Sequence, residues 1–273
     1  MTSTYSTNHA ASVLRTHNWR TLSNSAPYLL PHLDHLQSIT PNLKILDIGC
    51  GPGSITIDLA RRHPAAQVIG IDSFTDPLPT ARRLAASEGL TNITFAVGDT
   101  HALNFPDNTF DVVHVHQVLQ HIADPVQALR EMHRVAKPDG GLVAARESSI
   151  HTWYPANRGI ELWDRLSREL GQQSGGNPHP GARIHVWAEE AGFARTQIRK
   201  TTGSWCFSSD EEREYWGGSM AERARNSGFA DRAVESGLAT KEELDTVVEG
   251  WLEFVGCGQA WYGMLHGEIV CFK

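Results

Sequence analysis

The chain is short of the features that mark several common functions. Cysteine occurs four times, at Cys50, Cys206, Cys257 and Cys271, with no CxxC pair, too few and too scattered for a disulfide scaffold. No Lys- or Arg-rich run occurs and the formal net charge is -7, so the basic stripe that would neutralise nucleic-acid phosphates is missing. No segment reaches the roughly 18 uninterrupted apolar residues of a membrane span. The opening MTSTYSTNHAASVLRTHNW has no apolar centre of the signal-peptide kind. The expected setting is the reducing cytoplasm. The expected partner is a small molecule, with no nucleic acid and no membrane, and the oligomeric state is left open.

What is present is an alternating rhythm. KILDIG (44–49), AQVIGID (66–72), ITFAVGD (93–99), FDVVHV (110–115) and GLVAARES (141–148) are short apolar runs, and amphipathic helical stretches separate most of them. Strands of four to seven residues alternating with helices of about ten predict an α/β fold with a parallel sheet covered on both faces. An interrupted helical arm precedes the first strand, with Pro27 suited to a first turn and Pro31 expected to break or bend the run. After Ser148 the rhythm loosens into helices, a strand near 194–205, three further helical pieces and a closing strand in AWYGMLHGEIVCFK. With 273 residues and no shift in composition, one domain is expected. It divides into an arm or lid (1–42), a cofactor-binding core (43–148) and substrate-side helices with the final strands (149–273).

The sharpest motif is LDIGCGPGS, in which Gly49, Gly51 and Gly53 follow a strand and lead into a helix. Glycine belongs where the chain turns tightly and a ligand lies against bare backbone. The dinucleotide fingerprint GxGxxG needs glycine at position 54, where Ser54 stands, and no GK[ST] follows to make a P-loop. Asp72 ends the second strand, where a carboxylate can accept hydrogen bonds from a ribose diol. Asp99 ends the third, suited to a ligand with donor nitrogens such as an adenine amino group. Ligands of open α/β sheets gather at this carboxyl edge.

These residues, followed by GDTHALNFPDNTFDVVHVHQVLQH and LREMHRVAKPDGG, resemble a class I S-adenosylmethionine-dependent methyltransferase across about residues 44–146. The branch is similar to the ubiquinone and menaquinone C-methyltransferases. The resemblance implies a Rossmann-like, seven-stranded, mostly parallel sheet whose last strand, here HGEIVCFK, runs antiparallel. It implies S-adenosyl-L-methionine as cofactor and S-adenosyl-L-homocysteine as product. By the same resemblance the loop from Asp47 through Gly49, Cys50, Gly51 and Gly53 holds the methionine part. Asp72, with Ser73 beside it, takes the ribose, and Asp99 the adenine amino group, with Thr100 and His101 along the ring. His116 and Gln117 then touch the methionine moiety. Arg20 is a further candidate for the cofactor carboxylate. The arm and the last third of the chain also resemble fungal small-molecule methyltransferases, including the one that caps the two thiols of reduced gliotoxin. The helical insertion between Thr202 and Trp261 departs from the quinone enzymes and puts their ring substrate in doubt.

Methyl transfer from a sulfonium is an in-line displacement, so alignment and exclusion of water carry much of the work. A thiol of pKa about 8.5 needs little help from a base, whereas a phenol near 10 gains more. A thiol of a secondary metabolite, in one reading a dithiol, ranks slightly ahead of O- or C-methylation of a phenol or quinol ring. A nicotinamide-dependent oxidoreductase is the alternative of another class. Substrate-side candidates are His17, Trp19, Tyr28, Trp153, Trp205, Trp261, Tyr262 and Glu147, the last at a strand end where it can orient substrate or cap a loop. His114, His116 and His121 crowd one short stretch, but HQVLQH lacks the HExxH pattern and no metal is expected. Asp124 is better used as a helix cap. His114 is expected to be buried and hydrogen-bonded, and His121 is the candidate base or substrate-orienting residue.

Overall fold

In the computed structural model, which describes residues 11–177 and 179–273, the arm forms three short helices. They are α1 (Ala11–Asn18), α2 (Leu22–Ser25) and α3 (Leu30–Ile39). Thr21 accounts for the first interruption, because its hydroxyl caps α2 while Asn24 bonds back to the Thr21 N–H. Pro31 does not break a helix. It sits in the first turn of α3, where a missing N–H costs nothing.

Seven strands form one sheet: β1 (Lys44–Ile48), β2 (Gln67–Asp72), β3 (Ile93–Val97), β4 (Val112–His116), β5 (Leu142–Tyr154), β6 (Ile198–Phe207) and β7 (Trp261–Phe272). Their order is β3-β2-β1-β4-β5-β7-β6, with β7 antiparallel to both of its neighbours. This is the Rossmann-like methyltransferase arrangement that the resemblance implied. The order turns around between β1 and β4, so the strand ends on either side of that switch open a crevice for a ligand.

Alternate residues of the central strands feed opposite faces, as a period of two requires. Ile45, Val112 and Ala144 pack under α4 (Ser54–Arg62) and the arm, in one apolar core. Leu46, Val113 and Ala145 pack in another, with α6 (Pro125–Val135) and α8 (Ile184–Glu190). α5 (Leu78–Ser87) covers the β3 side through Leu78 and Ala81 against Phe95. Asp124 caps α6 by accepting from the Gln127 N–H at 2.8 Å, and Pro125 takes the first position.

The last third builds its own apolar cluster. α7 (Arg158–Gln173), α9 (Asp210–Asn226), α10 (Gly228–Glu235) and α11 (Lys241–Gly256) pack on the outer halves of β5, β6 and β7. Trp163, Trp205, Trp216 and Trp251 are buried in it, and Trp19 and Trp153 pack against it. The abundance of tryptophan therefore serves mainly this core. β5 continues six residues beyond Ser148, paired with β7 across a register shift between Ser148 and Ile150. Among the described residues no helix is long and apolar enough to cross a membrane.

Candidate active site

The glycine loop turns through three left-handed residues, Gly49 (φ +67), Gly51 (φ +53) and Gly53 (φ +85), each for its own reason. A Cβ on Gly49 would stand 2.2 Å from Cγ2 of Val118, and one on Gly53 would press on Ala81 at 2.8 Å and Phe95 at 3.0 Å. A Cβ on Gly51 would meet only Nδ1 of His17, at 3.8 Å. Two glycines thus permit close packing, and the middle one leaves bare backbone facing a cleft.

The cleft encloses about 870 Å³ open to solvent. Its walls come from the glycine loop, the end of β2 (Asp72, Ser73 and Phe74) and the exit of β4 (His116, Gln117 and Val118). Asp72 holds the loop: one carboxylate oxygen accepts the Gly51 N–H at 2.9 Å and the other the Phe74 N–H at 3.0 Å. A carboxylate has about four lone-pair directions, so one on each oxygen is left for a diol. Ser54, which breaks the dinucleotide fingerprint, donates its hydroxyl to the His17 carbonyl at 2.9 Å. Asp58 accepts the Leu22 N–H at 2.9 Å. The first turns of α4 therefore anchor the arm over the cleft.

A second chamber of about 1350 Å³ adjoins the first. The extension of β5 (Ser148 to His151), α7, the linker after it and the inner faces of α9 and α10 line it. His17, Arg20, Gln117 and His121 line both spaces and form the junction between them. Gln117 has φ +54, one residue past β4, and its amide spans the junction. Its Oε1 accepts from Arg20 at 2.7 Å, and its Nε2 lies 2.9 Å from Nε2 of His266, whose other ring nitrogen is 3.0 Å from Arg146.

Three histidines at or beside the junction, His116, His121 and His266, are held uncharged. Burial, then the charges of Arg20 and Arg146, holds His116 well below its ordinary pKa. Burial lowers His121 to about 4, with a smaller push from Arg20, and burial with Arg146 lowers His266 to about 2. Both ring nitrogens of His116 are buried without a hydrogen-bond partner at the wall of the cleft. His121 Nε2 lies 3.0 Å from the Gln120 side-chain amide nitrogen. That nitrogen can only donate, which leaves Nδ1 as the protonated position of a neutral ring.

Several candidates fall elsewhere. Asp47 reaches the cleft wall, but its oxygens are taken by His114 Nδ1 at 2.7 Å and the Thr56 hydroxyl at 2.6 Å, in a buried pairing behind the loop. Buried Cys50 also lines the wall, and burial pushes its thiol pKa up. Asp99, Thr100 and His101 lie outside the lining of the cleft, and the Asp99 carboxylate accepts from the His101 backbone and ring. Glu147 lines neither space. It is fully buried and accepts the N–H groups of Val118, Leu119 and Gln120, capping the exit of β4. Burial lifts its pKa to about 8 against the pull of those donors. Trp19 packs edge-on to Trp205, and Tyr28, in the arm between α2 and α3, is partly buried against the apolar core. Trp153 stacks on the outer side of buried Tyr262, and Trp261 is 38% exposed at the start of β7. None of these four aromatics lines either space. Among the described residues no group of three or more His, Cys, Asp or Glu gathers to hold a metal.

The second chamber also holds residues that the sequence did not single out. His151 Nδ1 is 3.0 Å from Asp164 and its Nε2 is 2.9 Å from the Ser148 hydroxyl. Arg168 pairs with the other Asp164 oxygen at 2.9 Å. Ser148 closes the expected strand, His151 lies past its apparent end, where a register shift and alternating exposure hide the strand, and Asp164 and Arg168 are on α7.

A crevice at the β1/β4 switch, a bare-backbone glycine loop and a carboxylate ending β2 are the features of a nucleoside-binding α/β sheet. Residues 39–192 match the methyltransferase domain family. The chain is similar to an uncharacterised methyltransferase of Schizosaccharomyces pombe, 30% identical over 96% of this chain and 93% of that protein. It is also similar to a probable methyltransferase of Aspergillus luteorubrus, 29% identical over 100% of this chain and 98% of that one. Its fold matches coclaurine N-methyltransferase bound to N-methylheliamine and S-adenosylhomocysteine, with a TM-score of 0.53 and 16% identity over 90% of this chain and 72% of that one. The chain belongs to the class I S-adenosylmethionine-dependent methyltransferases. It methylates a small molecule, with S-adenosylmethionine as donor.

Proposed function

We propose that the donor lies in the glycine-loop cleft and the acceptor in the second chamber, and that the methyl group crosses at the junction of His17, Arg20, Gln117 and His121. The observation that carries this is the sharing of those four residues by the two spaces. The cleft fits the donor on three counts. Gly51 leaves backbone uncovered, Asp72 keeps lone pairs for the ribose diol, and the buried His116 nitrogens await a partner. Arg20 supplies a cation for the amino-acid carboxylate. Asp99, one strand further out, would turn from His101 to accept from the adenine amino group, with Thr100 and His101 beside the ring. When bound, S-adenosylmethionine supplies a methyl group on a positively charged sulfur, ready for displacement.

The chain's own contribution is to orient, to exclude water and to handle a proton. Neutral His116 and His121 add no positive charge where a cationic donor must sit. The charged lining of the acceptor chamber is Arg20, Arg168 and Arg223 against the single carboxylate of Asp164, which suits a polar acceptor with acidic or anionic groups. A thiol acceptor rests on the family resemblance alone, since no residue of this lining is specific to sulfur.

Titration calorimetry separates this from nicotinamide chemistry. S-adenosylhomocysteine should bind and NAD should not, and the reverse would remove the proposal. Mass spectrometry of products from a panel of phenols, thiols and amines then identifies the acceptor atom.

A further inference from the structure

We propose that Asp164, His151 and Ser148 form a proton relay in the acceptor chamber, and that the acceptor atom is therefore a hydroxyl oxygen, phenolic in character. This deepens the placement of the acceptor proposed above and rests on it. All three side chains line the chamber. Asp164 only accepts, so the 3.0 Å contact fixes the proton of a neutral His151 on Nδ1 and leaves Nε2 as acceptor. The Ser148 hydroxyl, 2.9 Å from Nε2, donates to it. The order carboxylate, imidazole, hydroxyl is one that moves a proton away from an attacking group.

The relay is held firmly and stands close to the junction. Arg168 on the second oxygen holds Asp164 in place, and Trp163 stacks on the His151 ring with centroids 6.1 Å apart. Ser148 and His151 pair in register with His266 and Met264 of β7. Those are the two residues that the Gln117 amide reaches from the junction, at 2.9 Å and 3.8 Å.

The step balances without a further reactant. The acceptor O–H bond breaks as its proton passes to Ser148 Oγ, and the serine proton passes to His151 Nε2. The oxygen takes the methyl group, and the electron pair of the broken carbon–sulfur bond stays on sulfur, giving the thioether product. The imidazolium beside Asp164 then loses its proton to water. A thiol, pKa about 8.5, gains little from such a base, while a phenol near 10 gains much.

The test compares phenol with a nitrophenol that is largely ionised at neutral pH, using wild type, His151→Gln and Ser148→Ala. Removing a base costs roughly 100-fold or more. His151→Gln should lose about that factor in kcat with phenol and less than about tenfold with the nitrophenol, while S-adenosylhomocysteine binds as in wild type. Ser148→Ala should shift in the same direction. Equal losses for the two phenols, or none, would overturn the relay. Transfer by wild type to thiols or amines only would also overturn it, yet leave methyl transfer standing. Loss of S-adenosylhomocysteine binding by wild type would instead remove the reading beneath it. A separate readout needs no turnover: in ¹⁵N-histidine NMR of the free protein, His151 should carry its proton on Nδ1, and Asp164→Asn should move it to Nε2. A proton on Nε2 in wild type would contradict the geometry.

Discussion

At Gly49 the size of a substitution's effect follows from the close approach of Val118. A Cβ there would lie 2.2 Å from Cγ2 of Val118 but 3.4 Å from its Cβ and Cγ1, at a φ of +67. Gly49→Ala therefore pays twice: roughly 1–2 kcal/mol for a left-handed alanine, and roughly 1–3 kcal/mol for overpacking against Val118. Val118→Ala alone deletes two partly buried methyl groups, about 1–2 kcal/mol. In the double variant the clash disappears, because Cβ–Cβ contact at 3.4 Å is ordinary. The left-handed cost and the lost methyls remain. Urea denaturation of the four proteins should give a coupling of roughly 1–3 kcal/mol in favour of the double variant. Affinity for S-adenosylhomocysteine should fall in Gly49→Ala and recover partly in the double. Losses that add to within about 0.5 kcal/mol would refute the close approach of loop and strand exit.

Three other outcomes follow from the site. Asp72→Ala should weaken S-adenosylhomocysteine binding and cost roughly 1–3 kcal/mol of stability, because the Gly51 and Phe74 N–H groups lose their acceptor; unchanged affinity in calorimetry would contradict the placement of the ribose. His121→Ala should lower turnover more than donor affinity, and equal losses would move His121 to the donor side. Stability should peak near pH 6.5, the unfolded pKa of His. His116, His121 and His266 are neutral when folded and charged when unfolded below that point, so stability is lost as pH falls. Each contributes about 1.4 kcal/mol per pH unit. Glu147, raised to about 8, binds its proton in the folded state and opposes one of them between its unfolded pKa and 6.5. Together these four groups contribute a slope of about 2.7 kcal/mol per unit there, and Glu147 alone adds a gentler decline from pH 6.5 to 8, where only the folded state keeps its proton. Denaturation midpoints that are flat between pH 7 and 5 would contradict the buried, neutral histidines.

The glycine-loop cleft was legible because its residues are written locally. A glycine loop between an apolar run and a helix, then acids at successive strand ends, states a nucleoside site in contiguous residues. Asp124 and Pro125 announced the start of α6 in the same way. The second chamber was not, since its walls are assembled from β5, α7, α9 and α10 across long separations. Ser148 closes the expected strand and His151 sits past it, where β5 shifts register and alternates in exposure, so the strand seemed to end at Ser148. Glu147 had two readings from sequence, and only the three N–H groups of the β4 exit decide for the cap. Tryptophans attracted attention as pocket walls because an aromatic looks the same in sequence whether it faces a cavity or a core. Here the insertion helices need them to bury a separate apolar cluster.

Where the donor lies decides the roles of both spaces. A crystal structure with S-adenosylhomocysteine should show the ribose on Asp72, backbone contact at Gly51, and the amino-acid end at Arg20 and Gln117 beside His116. Density for the ligand in the chamber of Ser148 and His151, or away from the glycine loop, would contradict it.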